Sequence, residues 1–175
     1  MKKWIFALPT MAFPYLLLAI LGCIFSGFLI ETLFQNNIFY CILALAIFAA
    51  VALLGVILIW VFYLPRRERA SSVALLALLI KLVHIPAYVI IFVLGLLFLI
   101  TIFTVGFSLA FVLFDLITIF LSGSVGMLAV WKLYAEERIN LAECFLHSIL
   151  QFVFCLDVIN AVIVYVRARG AEREA

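Results

Sequence analysis

The chain has 175 residues, 70% of them hydrophobic and 11% charged, with a formal net charge of +2. Soluble domains run near one half apolar and one quarter charged, and one this small cannot hide so much apolar surface from water. A water-soluble globule is excluded, and so is a basic nucleic-acid-binding face, because the few positive residues gather at the ends of apolar segments.

The apolar runs are continuous and do not alternate with period two. The expected fold class is therefore all-α, an integral membrane helical bundle within a single transmembrane domain, 1–175. The first span covers 4–30. Met1-Lys2-Lys3 before it reads like a secretory signal, and Ile20-Leu21-Gly22-Cys23 resembles a lipoprotein cleavage site. Because the apolar run continues past Cys23 to Ile30, the segment is read as an uncleaved helix. Pro9 and Pro14 each remove a backbone donor and should kink it. A polar turn over 31–37 leads to a second span, 38–64, with no charge, Tyr40 at one end and Trp60 and Tyr63 at the other, as interfacial aromatics are. Pro65-Arg66-Arg67-Glu68-Arg69 follows. Three arginines in a short loop place it in the cytoplasm together with Lys2 and Lys3, so the N-terminus is cytoplasmic.

The stretch Lys81-Leu82-Val83-His84-Ile85-Pro86-Ala87-Tyr88 admits two readings. If a span begins at Val73, Lys81 lies about 12 Å inside it and costs about 2.5–3.5 kcal/mol unless the bundle supplies a partner. The preferred reading makes 71–84 a short interfacial or re-entrant helix and starts the third span, 86–104, at Pro86, which suits a first helical turn. Lys81 and His84 then stay at the interface, where they mark the surface or meet an anionic headgroup or acidic partner. A tight turn over 101–108 precedes the fourth span, 107–132. Ser122 and Gly126, four apart, permit close helix approach, as do Gly22 and Ser26 in the first span. After the charged loop 135–140, a fifth span is expected over 145–166. It is the weakest, because His147, Gln151, Asp157 and Asn160 erode its apolar gain. It also carries a conflict: five crossings put Arg167, Arg169 and Arg173 outside. A re-entrant or in-plane last helix is the competing arrangement.

Asp115 and Asp157 are the sharpest chemical candidates. In a five-span bundle they share one depth, where two carboxylates can share a proton or hold a cation; the plainer role for each is a neutral or hydrogen-bonded side chain that serves packing. Asn160 extends the Asp157 face. Cys144, His147 and Gln151 fall on one helical face near the inner end, where His84 could approach, but with no second Cys/His pair a metal site is not expected. The four cysteines behave as small hydrophobes. No motif for hydrolysis, phosphate binding or redox chemistry is present, so neither catalytic residues nor a cofactor are expected.

The 81–88 stretch and Gln151-Phe152-Val153-Phe154-Cys155-Leu156-Asp157-Val158-Ile159 resemble signatures in small multi-pass membrane proteins of Gram-positive bacteria, a family of unknown function. The resemblance implies a setting, the bacterial plasma membrane, and draws attention to His84, Pro86 and Asp157. The leading expectation is a non-enzymatic accessory or regulatory subunit acting by helix–helix association, with the lipid bilayer and another membrane protein or a second copy as partners. The alternative is a small transporter or substrate-binding subunit using Asp115 and Asp157.

Overall fold

The computed structural model describes residues 2–65, 68–100 and 104–173. Arg66 and Arg67, the start of the expected 101–108 turn, and the side chains of Lys2, Lys3 and Arg173 lie outside what it describes. A 3-10 turn, Lys2–Ala7, leads into α1 (Leu8–Phe25) and α2 (Gly27–Phe34); α3 (Ile38–Tyr63), α4 (Ala70–Leu99), α5 (Val105–Ala135), α6 (Leu141–Leu150) and α7 (Leu156–Arg173) follow. Trp4–Phe25, α3, α4 and α5 are long and apolar enough to cross a membrane.

Local chemistry sets the boundaries. Pro9 stands in the first turn of α1, where its missing N–H has no helical acceptor to serve. Ser26 is extended, ends α1 and caps α2 through its hydroxyl. Hence the expected 4–30 span divides there, and Gly22 does not make the close helix contact anticipated for it: a Cβ on it would meet nothing within 4 Å. Gln35 and Asn36 take left-handed backbone angles (φ 51° and 54°), and Asn37 caps α3. At the other end Asn140 and Glu143 form a reciprocal capping box that starts α6.

Two expectations are corrected. The 71–84 segment is not a separate interfacial helix. Ala70–Leu99 is one continuous helix with Pro86 inside it, and both Lys81 and His84 are fully buried. The fifth span, 145–166, is not one helix either. The chain bends over 151–155, with Cys155 in the left-handed region (φ 65°), and α7 runs back along α6. Their antiparallel course is fixed by Asn160 against His147, by Arg167 2.8 Å from Glu143, and by Arg138 donating to the Ala168 carbonyl at 2.9 Å. The Arg167 guanidinium holds the Glu143 carboxyl below its ordinary 4.5, so this exposed clamp is in place at neutral pH and is lost on acidification through that lowered value.

One end of the bundle therefore gathers the basic segments. Lys132 donates to the carbonyls of Pro65 and Glu68, both at 2.7 Å, and Glu136 accepts from the Ala70 amide at 2.8 Å. Phe6 stacks on Phe62 at 5.1 Å, which brings the N-terminal turn to the same end. The α6–α7 hairpin packs against α4 and α5, whereas α3 leaves most of its length exposed and packs mainly on α1 and the N-terminal turn.

Candidate functional site

The polar centre of the molecule forms where the tip of the α6–α7 hairpin meets α4 and α5. At 1.5 Å per residue, Lys81 lies about 16 Å along α4 from Ala70, and the ten residues of α6 reach to about the same depth. The Lys81 ammonium is 2.7 Å from Asp157 Oδ2 and 3.3 Å from the Gln151 carbonyl; Lys81 and Asp157 are 0% and 1% exposed. A charge pair this buried gains strongly from mutual attraction but forfeits the hydration of both ions, so it holds only where geometry and further hydrogen bonds are good. The Gln151 carbonyl, at the last helical turn before the bend, supplies one of those bonds. Lys81 thus ties one ionised side chain and one loose main-chain acceptor of the hairpin to α4.

Glycine lets the tip come so close. A Cβ on Gly123 would stand 2.7 Å from the Gln151 carbonyl oxygen and 2.8 Å from the Phe152 ring. A Cβ on Gly126 would collide with the Gln151 side-chain amide. The small-residue surface expected around Ser122 and Gly126 does serve close approach, but of a bent hairpin, and Gly123 is the position nearest its backbone.

A second polar contact sits one turn further along α4. Pro14 has no N–H to give the Thr10 carbonyl four residues earlier, so that acceptor is left free inside the bundle. His84 Nε2 donates to it at 2.9 Å, and Tyr88 Oη stands 3.5 Å from His84 Nδ1, the acceptor side of that tautomer. Replacing His84 with Phe is expected to orphan the carbonyl at a cost of about 1–3 kcal/mol. Restoring an N–H with Pro14→Ala should recover part of that loss; chemical denaturation of the single and double variants in detergent reads both values.

The sequence candidates are thus divided. Asp157 joins Lys81, and Asn160 joins His147: its side-chain amide donates to the His147 carbonyl at 2.8 Å. Asp115 belongs to neither group. It is half-buried on α5, and its Oδ1 has no hydrogen-bond partner among the described residues. Cys144 and His147 are both buried, but no three His, Cys, Asp or Glu side chains converge among the described residues. Gln151, expected on the Cys144 and His147 face of the last segment, sits at the centre. Its side-chain amide is buried with neither Oε1 nor Nε2 bonded among the described residues. Since no partner is lost, Gln151→Met should be neutral or stabilising by up to about 1 kcal/mol. A clear loss of stability in the same denaturation assay would assign that amide a bound ligand.

A groove of about 400 Å³ runs along the outside of this centre between α4 and α7, with Tyr88, Val89, Phe92, Phe154 and Cys155 in its walls and Asp157 at its floor. Its lining is almost wholly apolar. No known protein family, curated protein or solved structure matches the chain.

Proposed function

We propose that this chain is a non-enzymatic accessory or regulatory subunit of a plasma membrane, the setting implied by the resemblance of its 81–88 and 151–159 stretches to small multi-pass proteins of Gram-positive bacteria. It works by helix–helix association within the bilayer. In this reading four helices cross, the α6–α7 hairpin is re-entrant, and the basic end is cytoplasmic with both termini.

The single observation that supports the role is that Lys81, His84, His147 and Asp157 are each held by a partner within the fold, whereas Asp115 Oδ1 and the Gln151 amide are not. Lys81 holds Asp157, His84 holds the Thr10 carbonyl, and His147 holds Asn160. Groups that would otherwise do chemistry fix the hairpin and α1 in place, and the outward faces are left for recognition. The orientation draws support from charge: with the hairpin returning, Arg167 and Arg169 join Arg69 and Arg138 on one side, as the positive-inside tendency requires.

Crosslinking in intact membranes, followed by capture of the tagged chain in a mild detergent, tests this. Another integral membrane protein should be recovered in fixed ratio. Recovery of lone monomer at every crosslinker length would contradict the reading. A transporter is the second reading, favoured by one feature: a helix interrupted beside a charge pair is how many transporters build their midplane sites. Substrate or proton flux in proteoliposomes that is abolished by Asp157→Asn would move the assignment there.

A further inference from the structure

One outward face carries polar groups that hydrocarbon cannot satisfy. Beyond the hairpin tip, α4 and α5 pack directly and leave a shallow apolar groove of about 190 Å³, bordered by Phe92, Gly95 and Leu96 on α4 and by Ser108, Leu109 and Asp115 on α5. Leu96 and Leu109 are exposed on its rim. Asp115 lies at the end nearest the hairpin, about 15 Å along α5 from Val105. Helices of 30 and 31 residues overrun the hydrocarbon layer, yet that distance still sets Asp115 several ångströms inside it, too deep for a short side chain to reach the headgroups. The cation Lys81 is already bonded to a carboxylate of its own. An acidic side chain at such depth is costly unless it is protonated or paired, and a basic partner is what would keep its charge.

The same face exposes the bend. Phe92 borders both this groove and the one between α4 and α7, and Val153, Phe154 and Cys155 are exposed beside it. Hydrogen bonds from Phe152 to Ile149 and from Asp157 to Val153 close the bend at its two sides, and among the described residues no backbone acceptor takes the amides of Phe154 and Cys155. Irregular backbone is tolerated in a bilayer where protein covers it or a water-filled cavity adjoins it, and the groove here is apolar. Acyl chains offer no acceptor, and lipid esters and phosphates lie at the surface.

We propose that this face receives a transmembrane helix of another protein, seated in the α4/α5 groove, with a lysine or arginine side chain of that helix paired to Asp115. Gly95 lets the helix approach closely, and its body covers the bend. The assignment deepens the accessory-subunit reading and rests on it: it names the face used and the chemistry of the partner.

The test places a photoreactive amino acid at Leu96 or Leu109 in the full chain, expressed in its own membrane, with Ile47 and Leu54 on α3 as comparison positions. The groove positions should crosslink to a transmembrane helix of a different protein bearing Lys or Arg at the matching depth. Asp115→Leu should lower that yield at least tenfold, and Gly95→Leu, which fills the groove while keeping the charge, should lower it as well. Asp115→Lys should regain it when the partner's basic residue is changed to Asp. Asp115 Oδ1 has no hydrogen-bond partner among the described residues, so the variants should still elute as monodisperse protein. An adduct indifferent to Asp115, one with a helix lacking a basic residue, one with a second copy, or adducts with lipid alone would overturn the assignment. If only the α3 positions capture a protein, the assignment fails and the accessory reading stands; if no position does, both fail.

Discussion

Asp157→Asn should destabilise the folded protein by about 3–5 kcal/mol, the usual consequence of removing one member of a buried charge pair and leaving the other unneutralised. Lys81→Met should cost a similar amount, because the Asp157 carboxylate then stays 1% exposed with no cation near it. The double variant Lys81→Met, Asp157→Leu separates the pair's contribution from the penalty of breaking it. Exchanging a whole buried pair for apolar groups of similar size is often neutral or better, so the double variant should be more stable than either single one. That non-additivity, read as a double-mutant cycle by reversible unfolding in detergent or bicelles, identifies direct contact. Additive losses would mean that the two residues do not meet. A further consequence separates the hairpin from the rest of the bundle. With Lys81 gone, α6 and α7 should gain protease sensitivity and amide exchange well before α3, which packs mainly on α1 and the N-terminal turn.

The second large effect belongs to glycine. Gly123→Ala puts a methyl group 2.7 Å from the Gln151 carbonyl oxygen, which is main chain and is itself bonded to Lys81. The hairpin tip must retreat, so the loss should be about 1–3 kcal/mol, with Gly123→Val worse. Gly126→Ala should be milder, below about 1 kcal/mol, although its nominal clash is shorter. There the obstructing atoms are the end of the Gln151 side chain, which has no hydrogen bond to break and can rotate aside. Equal losses at the two positions would show that the tip does not rest on Gly123. Thermal unfolding in one detergent, compared across the three variants, decides between these outcomes.

Both predictions concern contacts that were only half legible in the sequence. The helices themselves read well: α3 begins and ends within one residue of the expected 38–64, because its boundaries are marked by a polar cap and by an arginine-rich stop. The last segment did not read well, since apolar composition cannot distinguish one crossing from two shorter helices turning back. Its signals were indirect. The arginines after Val166 conflicted with a fifth crossing, and Lys81 and Asp157 each carried a charge that an isolated helix could not hold. Measured from one side of the membrane, Lys81 after Ala70 and Asp157 before Arg167 lie at nearly equal depths. Pairing Asp157 with Asp115 followed from counting depth for a straight last helix; bending that helix pairs it with Lys81. The bond from His84 to the Thr10 carbonyl was half visible too. Pro14 announced a free acceptor, but only the packing of α1 on α4 shows which donor takes it.

That the α6–α7 hairpin does not cross the bilayer is the proposal on which the rest depends, and the location of the C-terminus tests it most directly. Paired reporters, one active only in the cytoplasm and one only outside, can be fused after Ala175 and, separately, within the turn at Asn36. Ala175 should report cytoplasmic, on the same side as the N-terminus, and Asn36 external. An external signal from Ala175 would mean that the last segment crosses, and the Lys81–Asp157 bond could not then be made as described.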